Sequence, residues 1–127
     1  MRHLMTIAIL GVAATACAAA APSIDPSVVA IPTAEPLVGE AACMDALLTG
    51  RLVADDDAGV VIQAADGTTT VVVWPHGWVA VDEDRRRVVL NDRGDPVARV
   101  GDEVAIGGGL GAGDRWYTCG EVTRGEP

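Results

Sequence analysis

The stretch that decides the fold is residues 60–74, which read VVIQAADGTTTVVVW. It opens with a short apolar run, Val60–Gln63, and continues into Asp66-Gly67, a dipeptide typical of β-hairpin turns. Thr68–Trp74 is then rich in β-branched residues and ends in an aromatic one, the composition that strands favour. The stretch therefore predicts two strands joined by a tight turn.

Short apolar runs alternate with turn clusters on both sides of this hairpin. About eight strands at a spacing of about 8–12 residues are typical of a sandwich or a barrel. The segment 100–106 resembles a turn-strand element of small OB-like and SH3-like barrels, and Ala41–Leu48 is a short helical candidate that could equally lead into the first strand. We therefore predict an all-β domain over residues 41–124, a small OB-like or SH3-like barrel or a sandwich, with a tail at 125–127. The predicted strands are Leu47–Ala54, Val60–Gln63, Thr68–Trp74, Trp78–Val81, Arg87–Leu90, Pro96–Val100, Glu103–Ile106 and Arg115–Val122.

The N-terminus has the order of a secretory signal. Arg2 gives a positive start, Leu4–Ala14 is an apolar core, and small residues lead to Cys17. The sequence Ala14-Thr15-Ala16-Cys17 resembles the lipobox of bacterial lipoproteins. The resemblance implies a signal peptide at 1–16, acyl chains such as palmitate on Cys17, and a lipid-anchored protein at the extracytoplasmic face of the cell membrane. A membrane-spanning anchor and a plain cleaved signal are the other two interpretations.

The number of cysteines fits this interpretation. An odd count in a secreted protein leaves one thiol to explain. If Cys17 carries lipid, Cys43 and Cys119 remain as a pair that can form a disulfide outside the cytoplasm. Closing so long a loop would stabilise the fold by roughly 4–5 kcal/mol in the chain-entropy view.

Charge and proline content describe the surface and the region after Cys17. The chain has 9 basic residues, all arginine, against 18 acidic ones, a net charge of −9 that disfavours nucleic acid as a partner. Residues 17–40 contain four of the seven prolines, which predicts a disordered Pro/Ala-rich linker. Fully extended, it would reach at most ~70 Å.

The most distinctive local sequence is Trp74-Pro75-His76-Gly77-Trp78. One interpretation is a recognition loop, with Trp74, His76 and Trp78 as candidate ligand-binding residues for a sugar or a peptide. The other is that the two indoles belong to the core, because the chain has no Phe and one Tyr. We expect Trp74 to be the more buried of the two and Trp78 the more exposed.

The remaining sequence contains no arrangement of residues that is typical of a catalytic site. Apart from the signal, the chain has one histidine, and its serines lie in the linker, so neither a Ser-His-Asp arrangement nor a zinc site is predicted. We predict no catalytic residue, metal ligand or cofactor. The acidic runs 55–57 and 82–84 are predicted to be solvated turns rather than calcium loops, and the Gly-rich run 107–113 to be a flexible hairpin loop.

These features favour a non-catalytic binding or accessory module of the cell envelope, held to the membrane by the lipid on Cys17. Its partner would be an envelope protein or a glycan. Two alternatives remain: a hydrolase that uses carboxylates alone, and a structural subunit of an envelope complex.

Overall fold

A computed structural model gives the fold of the protein and describes residues 27–35 and 43–125. The predicted signal peptide, Cys17, most of the predicted linker and the last two residues lie outside these ranges. The all-β prediction is confirmed. The strands are β1 Val28–Val29, β2 Ala46–Asp55, β3 Gly59–Gln63, β4 Thr69–Val73, β5 Val79–Glu83, β6 Arg86–Leu90, β7 Pro96–Arg99, β8 Glu103–Leu110 and β9 Trp116–Arg124, with a short 3-10 turn at Ala112–Asp114.

Five of the strands close into a barrel, in the order β2-β3-β4-β9-β8. Neighbours pair antiparallel except β4 and β9, which pair in parallel through Val72 with Trp116 and Val73 with Tyr117. Counted along the barrel alone, the order is first, second, third, fifth, fourth. This is the Greek-key arrangement of an OB-like barrel, so of the predicted alternatives the OB-like barrel is the one found.

The predicted hairpin is the β3–β4 pair, in register from Val61 opposite Val71 to Gln63 opposite Thr69. Its turn is longer than a two-residue connection. The Ala64 N–H donates to the Thr68 carbonyl at 2.8 Å, and Gly67 has a φ of 89°. The Asp66 carboxylate accepts hydrogen bonds from the Thr68 hydroxyl and backbone N–H, and these bonds lower the pKa of Asp66.

Strands β5, β6 and β7 are inserted between the third and fourth barrel strands and form a second sheet with β1, in the order β1-β5-β6-β7. Both sheets contribute to one core. Val89 and Ala98 of the second sheet belong to the same buried cluster as Leu52, Ile62 and Ile106 of the barrel. The inserted sheet is therefore packed onto the barrel as part of a single domain.

Residues 27–35, which we call the strap, correct the linker prediction. Instead of being disordered, Val28 and Val29 pair with β5, and Ile31 packs against the core. The Trp74 N–H donates to the Pro32 carbonyl at 2.9 Å; proline lacks an N–H but keeps this acceptor. The folded domain therefore begins before residue 41, because Val29 and Ile31 are partly buried there.

The Cys43–Cys119 disulfide is confirmed, with a Cα–Cα distance of 5.9 Å. It joins the chain just before β2 to the middle of β9. These two strands lie on either side of β8 in the barrel, so the bridge passes from one flank of β8 to the other. Both half-cystines are exposed at the barrel surface.

Candidate functional site

Of the two interpretations of the Trp74–Trp78 segment, the one confirmed is that both indoles belong to the core, and they form no exposed recognition loop. Trp74 has no exposed surface and Trp78 is 9% exposed. Their rings stack with centroids 5.8 Å apart and planes 21° from parallel. The expectation that Trp74 is the more buried of the two is confirmed, but Trp78, the better candidate for exposure, is buried as well.

The turn between the two tryptophans explains this placement. Gly77 has a φ of 84°, and the Trp78 N–H donates back to the Pro75 carbonyl at 3.2 Å, so the chain reverses within three residues. Both indoles then point inward, where a chain without Phe needs large apolar side chains. His76 is left exposed at the tip of the turn, with no aromatic face beside it from Trp74 or Trp78.

The third tryptophan, Trp116, is also buried, at 7% exposed. Among the described residues, the indole N–H groups of Trp74 and Trp116 have no hydrogen-bond acceptor. These side chains therefore contribute to stability through burial of their apolar ring atoms and not through hydrogen bonds of the indole N–H.

The first acidic run forms a local turn rather than a binding loop. The Asp55 carboxylate accepts hydrogen bonds from the backbone N–H groups of Asp57 and Ala58, at 3.0 and 2.7 Å. Its acceptor oxygen is thus used within the turn, as Asp does in Asx-type turns.

The second acidic run provides one ion pair within the second sheet, and the arginine of that pair also bonds to the barrel. Arg87 Nε donates to Asp82 at 2.9 Å, and its Nη1 donates to the Gly59 carbonyl of β3 at 2.7 Å. The hydrogen bond from Arg87 lowers the pKa of Asp82. Within residues 27–35 and 43–125, no group of three or more His, Cys, Asp or Glu side chains is arranged to hold a metal ion.

The Gly-rich run is not simply a loop, which corrects the sequence prediction. Gly107, Gly108 and Gly109 lie within β8; the first two pair with β2 and the last two with β9, and a register shift against β9 falls at Gly107. A Cβ on Gly109 would be 2.5 Å from the Met44 sulfur, and one on Gly111 would be 2.5 Å from the Tyr117 ring. The missing side chains therefore let neighbouring residues lie across the strand.

A groove lies on the outer face of β2, β8 and β9. Its centre is a row of three small side chains, Thr49, Ala105 and Thr123, which are directly opposite one another on the three strands. Around this row lies an open cavity of about 680 Å³, which we call the trough. The trough is lined by Thr49, Gly50, Arg51, Gln63, Ala64, Ala65, Glu103, Val104, Ala105, Thr123 and Gly125.

A smaller cavity of about 170 Å³, which we call the depression, continues the trough toward the disulfide. The two share Ala105 and Thr123, so they form one continuous path along the sheet. The depression is lined by Cys43, Met44, Asp45, Ala46, Leu47, Ala105, Gly107, Cys119, Glu121 and Thr123.

The two ends of this path differ in charge. At the trough end, Arg51 Nε donates to Glu103 at 3.1 Å, and both side chains are more than half exposed. At the other end, Glu121 lies over Gly107, with a carboxylate oxygen 3.3 Å from where a Cβ would stand. Among the described residues, neither Glu121 nor Asp45 takes part in a salt bridge.

Sequence reasoning missed the trough because no motif marks it. Most of its residues come from four strands, β2, β3, β8 and β9, and from the β3–β4 turn, and each is ordinary by itself. The available signal was small: Thr49 and Ala105 lie in predicted strands, but Thr123 follows the predicted strand Arg115–Val122, and the row forms only when the strands are paired.

Comparison with known proteins finds no family model, no curated protein and no solved structure that matches this chain. No helix in the described part of the chain is long and apolar enough to cross a membrane.

Proposed function

We propose that this protein is a non-catalytic binding or accessory module of the cell envelope, anchored by lipid on Cys17, that contacts its partner through the trough and the depression. The observation that carries the proposal is the unfilled outer face of β2, β8 and β9. Its central row holds Thr49, Ala105 and Thr123, and it continues past Leu47, which is 64% exposed. A concave face that residues 27–35 and 43–125 leave open, with an exposed aliphatic side chain at one end, is suited to a partner.

The burial of Trp74 and Trp78 shifts the balance among the expected partners. Sugar-binding and small-ligand sites commonly use aromatic side chains in their lining, and the two indoles that could have supplied them are in the core. A protein partner in the envelope is therefore favoured over a glycan. A module that binds an envelope protein is close in function to the second alternative, a structural subunit of an envelope complex.

The carboxylate-only hydrolase has one observation in its favour, since Asp45 and Glu121 both line the depression. A general acid of this kind is normally kept protonated by burial in apolar surroundings. Both carboxylates are exposed instead. The depression is also smaller than the roughly 300–1,000 Å³ of typical small-molecule sites.

Site-specific photocrosslinking in cells tests the proposed function. A photoreactive residue at Thr49 in the trough is expected to give discrete crosslinked products in the membrane fraction. The matched control is the same residue at Asp92, which is exposed in the turn before β7 and should give none of these products. Ala105→Trp, which fills the centre of the trough, should suppress the Thr49 products.

Absence of products from Thr49, or the same products from Thr49 and Asp92, would contradict the proposal. Circular dichroism and thermal melting of each variant separate a failure to bind from a failure to fold.

A further inference from the structure

Resting on the proposed function, we infer that the trough and depression hold an extended, basic segment of a partner protein, with one cationic side chain seated in the depression. The inference comes from a path along a sheet face with few large side chains, which ends between an aliphatic wall and two carboxylates that form no salt bridge with any described residue.

The shape of the path selects an extended chain. It follows the outer face of three paired strands, from the Arg51–Glu103 pair past Thr49 to Leu47. Strands lie about 4.8 Å apart, so a three-strand face is about as wide as one extended chain with its side chains. The backbone groups of β8 are already paired on both sides, so an incoming segment is held by side-chain contacts rather than by adding a strand.

The charge of the path selects a basic segment. Arg51 is matched by Glu103, which leaves Asp45 and Glu121 as the uncompensated charges of the lining. The chain as a whole has a net charge of −9. An acidic surface attracts a basic partner over the distances at which encounter begins and disfavours acidic ones.

The size and lining of the depression fit a long cationic side chain. Its volume of about 170 Å³ suits one side chain rather than a free small molecule. Leu47, Met44 and the disulfide provide apolar walls for an alkyl stem, while Asp45 and Glu121 provide the partner for its charge. Lysine and arginine combine these two properties, since they bury the stem and keep the charged end in water.

A second copy of the chain fits this surface less well. Two molecules with a net charge of −9 repel each other, and a symmetric contact through the depression would bring two sets of the same carboxylates together. Self-association is therefore one of the outcomes that would count against the inference.

A peptide titration tests the inference on the full-length chain in non-ionic detergent micelles. The probe is a ten-residue synthetic peptide that alternates lysine with valine and threonine, and its matched control carries glutamate at every lysine position. The lysine peptide is expected to shift the NMR signals of the Leu47, Gly107 and Thr123 amides, and the glutamate peptide to leave them unchanged. Raising the salt from ~0.05 to ~0.5 M should weaken the binding, because the carboxylates of the depression and the lysine side chains of the peptide are exposed to solvent.

Matched charge variants locate the contact. The double variant Asp45→Asn with Glu121→Gln is expected to weaken binding of the lysine peptide by about twofold to thirtyfold, which is the range for losing two exposed charge pairs. Asp92→Asn with Asp95→Asn changes the net charge by the same amount in a turn of the second sheet, and should leave binding within about twofold. The salt titration on the unmodified chain keeps the test decisive if a variant folds poorly.

Four results would overturn the inference: equal binding of both peptides, peptide-induced shifts outside the path, equal effects of the two double variants, or self-association through the depression. Binding of a peptidoglycan fragment to the trough in place of the peptide would overturn it as well, while leaving a binding module in place. Failure of the proposed function is recognised separately, by the absence of crosslinks from Thr49 in cells.

Discussion

Replacing Gly59 by alanine tests whether the strap is a stable part of the domain. Gly59 begins β3 directly beneath the strap, where a Cβ would stand 2.6 Å from the Ala30 carbonyl oxygen and 2.9 Å from Ile31 Cγ2. Since one of these atoms belongs to the backbone, the strap must move to accept a methyl group. Gly59 also has a φ of 79°, a conformation that costs an L-residue about 1–2 kcal/mol.

Gly67 provides the matched control. It has a φ of 89°, and a Cβ there would have no atom within 4 Å. Gly67→Ala should therefore lower the free energy of unfolding by the backbone cost alone, about 1–2 kcal/mol. Gly59→Ala adds overpacking, which costs about 1–3 kcal/mol, so its total should be about 2–5 kcal/mol.

The destabilisation by Gly59→Ala beyond that by Gly67→Ala has an upper bound, which is the free energy that the strap's own contacts contribute. Besides the pairing of Val28 and Val29 with β5 and the packing of Ile31, three backbone hydrogen bonds join it to the rest of the domain: Asp82 N–H to Ser27, Trp74 N–H to Pro32 and Ala34 N–H to Trp74. At a net ~0.5–1.5 kcal/mol each, these three bonds contribute about 1.5–4.5 kcal/mol, and the β5 pairing and Ile31 raise the bound above that.

Two measurements check this prediction. Urea unfolding followed by tryptophan fluorescence gives the free energies of both variants. Hydrogen exchange at the Trp74 amide, which donates to Pro32, reports detachment of the strap directly. Equal destabilisation by the two substitutions, together with unchanged protection of the Trp74 amide in Gly59→Ala, would refute the packing described here.

Four further predictions concern the anchor, the core, a turn and an ion pair. Cys17→Ser is expected to abolish incorporation of a labelled fatty acid, and unchanged labelling would refute the proposed anchor. Trp74→Ala should lower the free energy of unfolding by about 3–5 kcal/mol, since the indole is fully buried; a loss below about 1 kcal/mol would be inconsistent with that burial. Arg85→Gly should stabilise the domain by roughly 0.5–1 kcal/mol, because Arg85 holds a φ of 66° in the β5–β6 turn, and a lowered melting temperature would speak against this. Asp82→Asn should destabilise the domain above about pH 5. The bond from Arg87 lowers the pKa of Asp82 on folding, so the difference from the unmodified chain should close as pH falls through that lowered pKa; a constant difference in urea unfolding down to about pH 2 would disprove it.

The strands were predictable where local composition and the buried pattern agree. The run that became β4, Thr69–Val73, is rich in β-branched residues, and its partner β3 is buried along most of its length, as its apolar run indicates. The odd number of cysteines, with Cys17 set aside for lipid, predicted the disulfide without any geometric information. These signals are local or countable, so the sequence is sufficient for them.

Other features depend on which segments meet in space, and composition alone does not report this. Val28 and Val29 make too short a run between prolines to show a period, yet β5 offers them an open edge. Trp78 follows a turn, which suggested exposure, but stacking on Trp74 carries it into the core. The trough arises only when β2, β8 and β9 are placed side by side.

The docked strap also determines how far the domain can move from the proposed anchor. A linker running from Cys17 to the predicted domain start would allow a reach of ~70 Å, whereas the nine residues between Cys17 and the strap's first residue, Ser27, allow at most ~28 Å. Because the effective concentration of a tethered group falls at least as the 3/2 power of the tether length, the shorter tether raises the local concentration of the trough around a membrane-bound partner by roughly fourfold or more. A weak contact between exposed charges would then be occupied far more of the time than its affinity in free solution suggests. Detaching the strap would dilute the domain by the same factor.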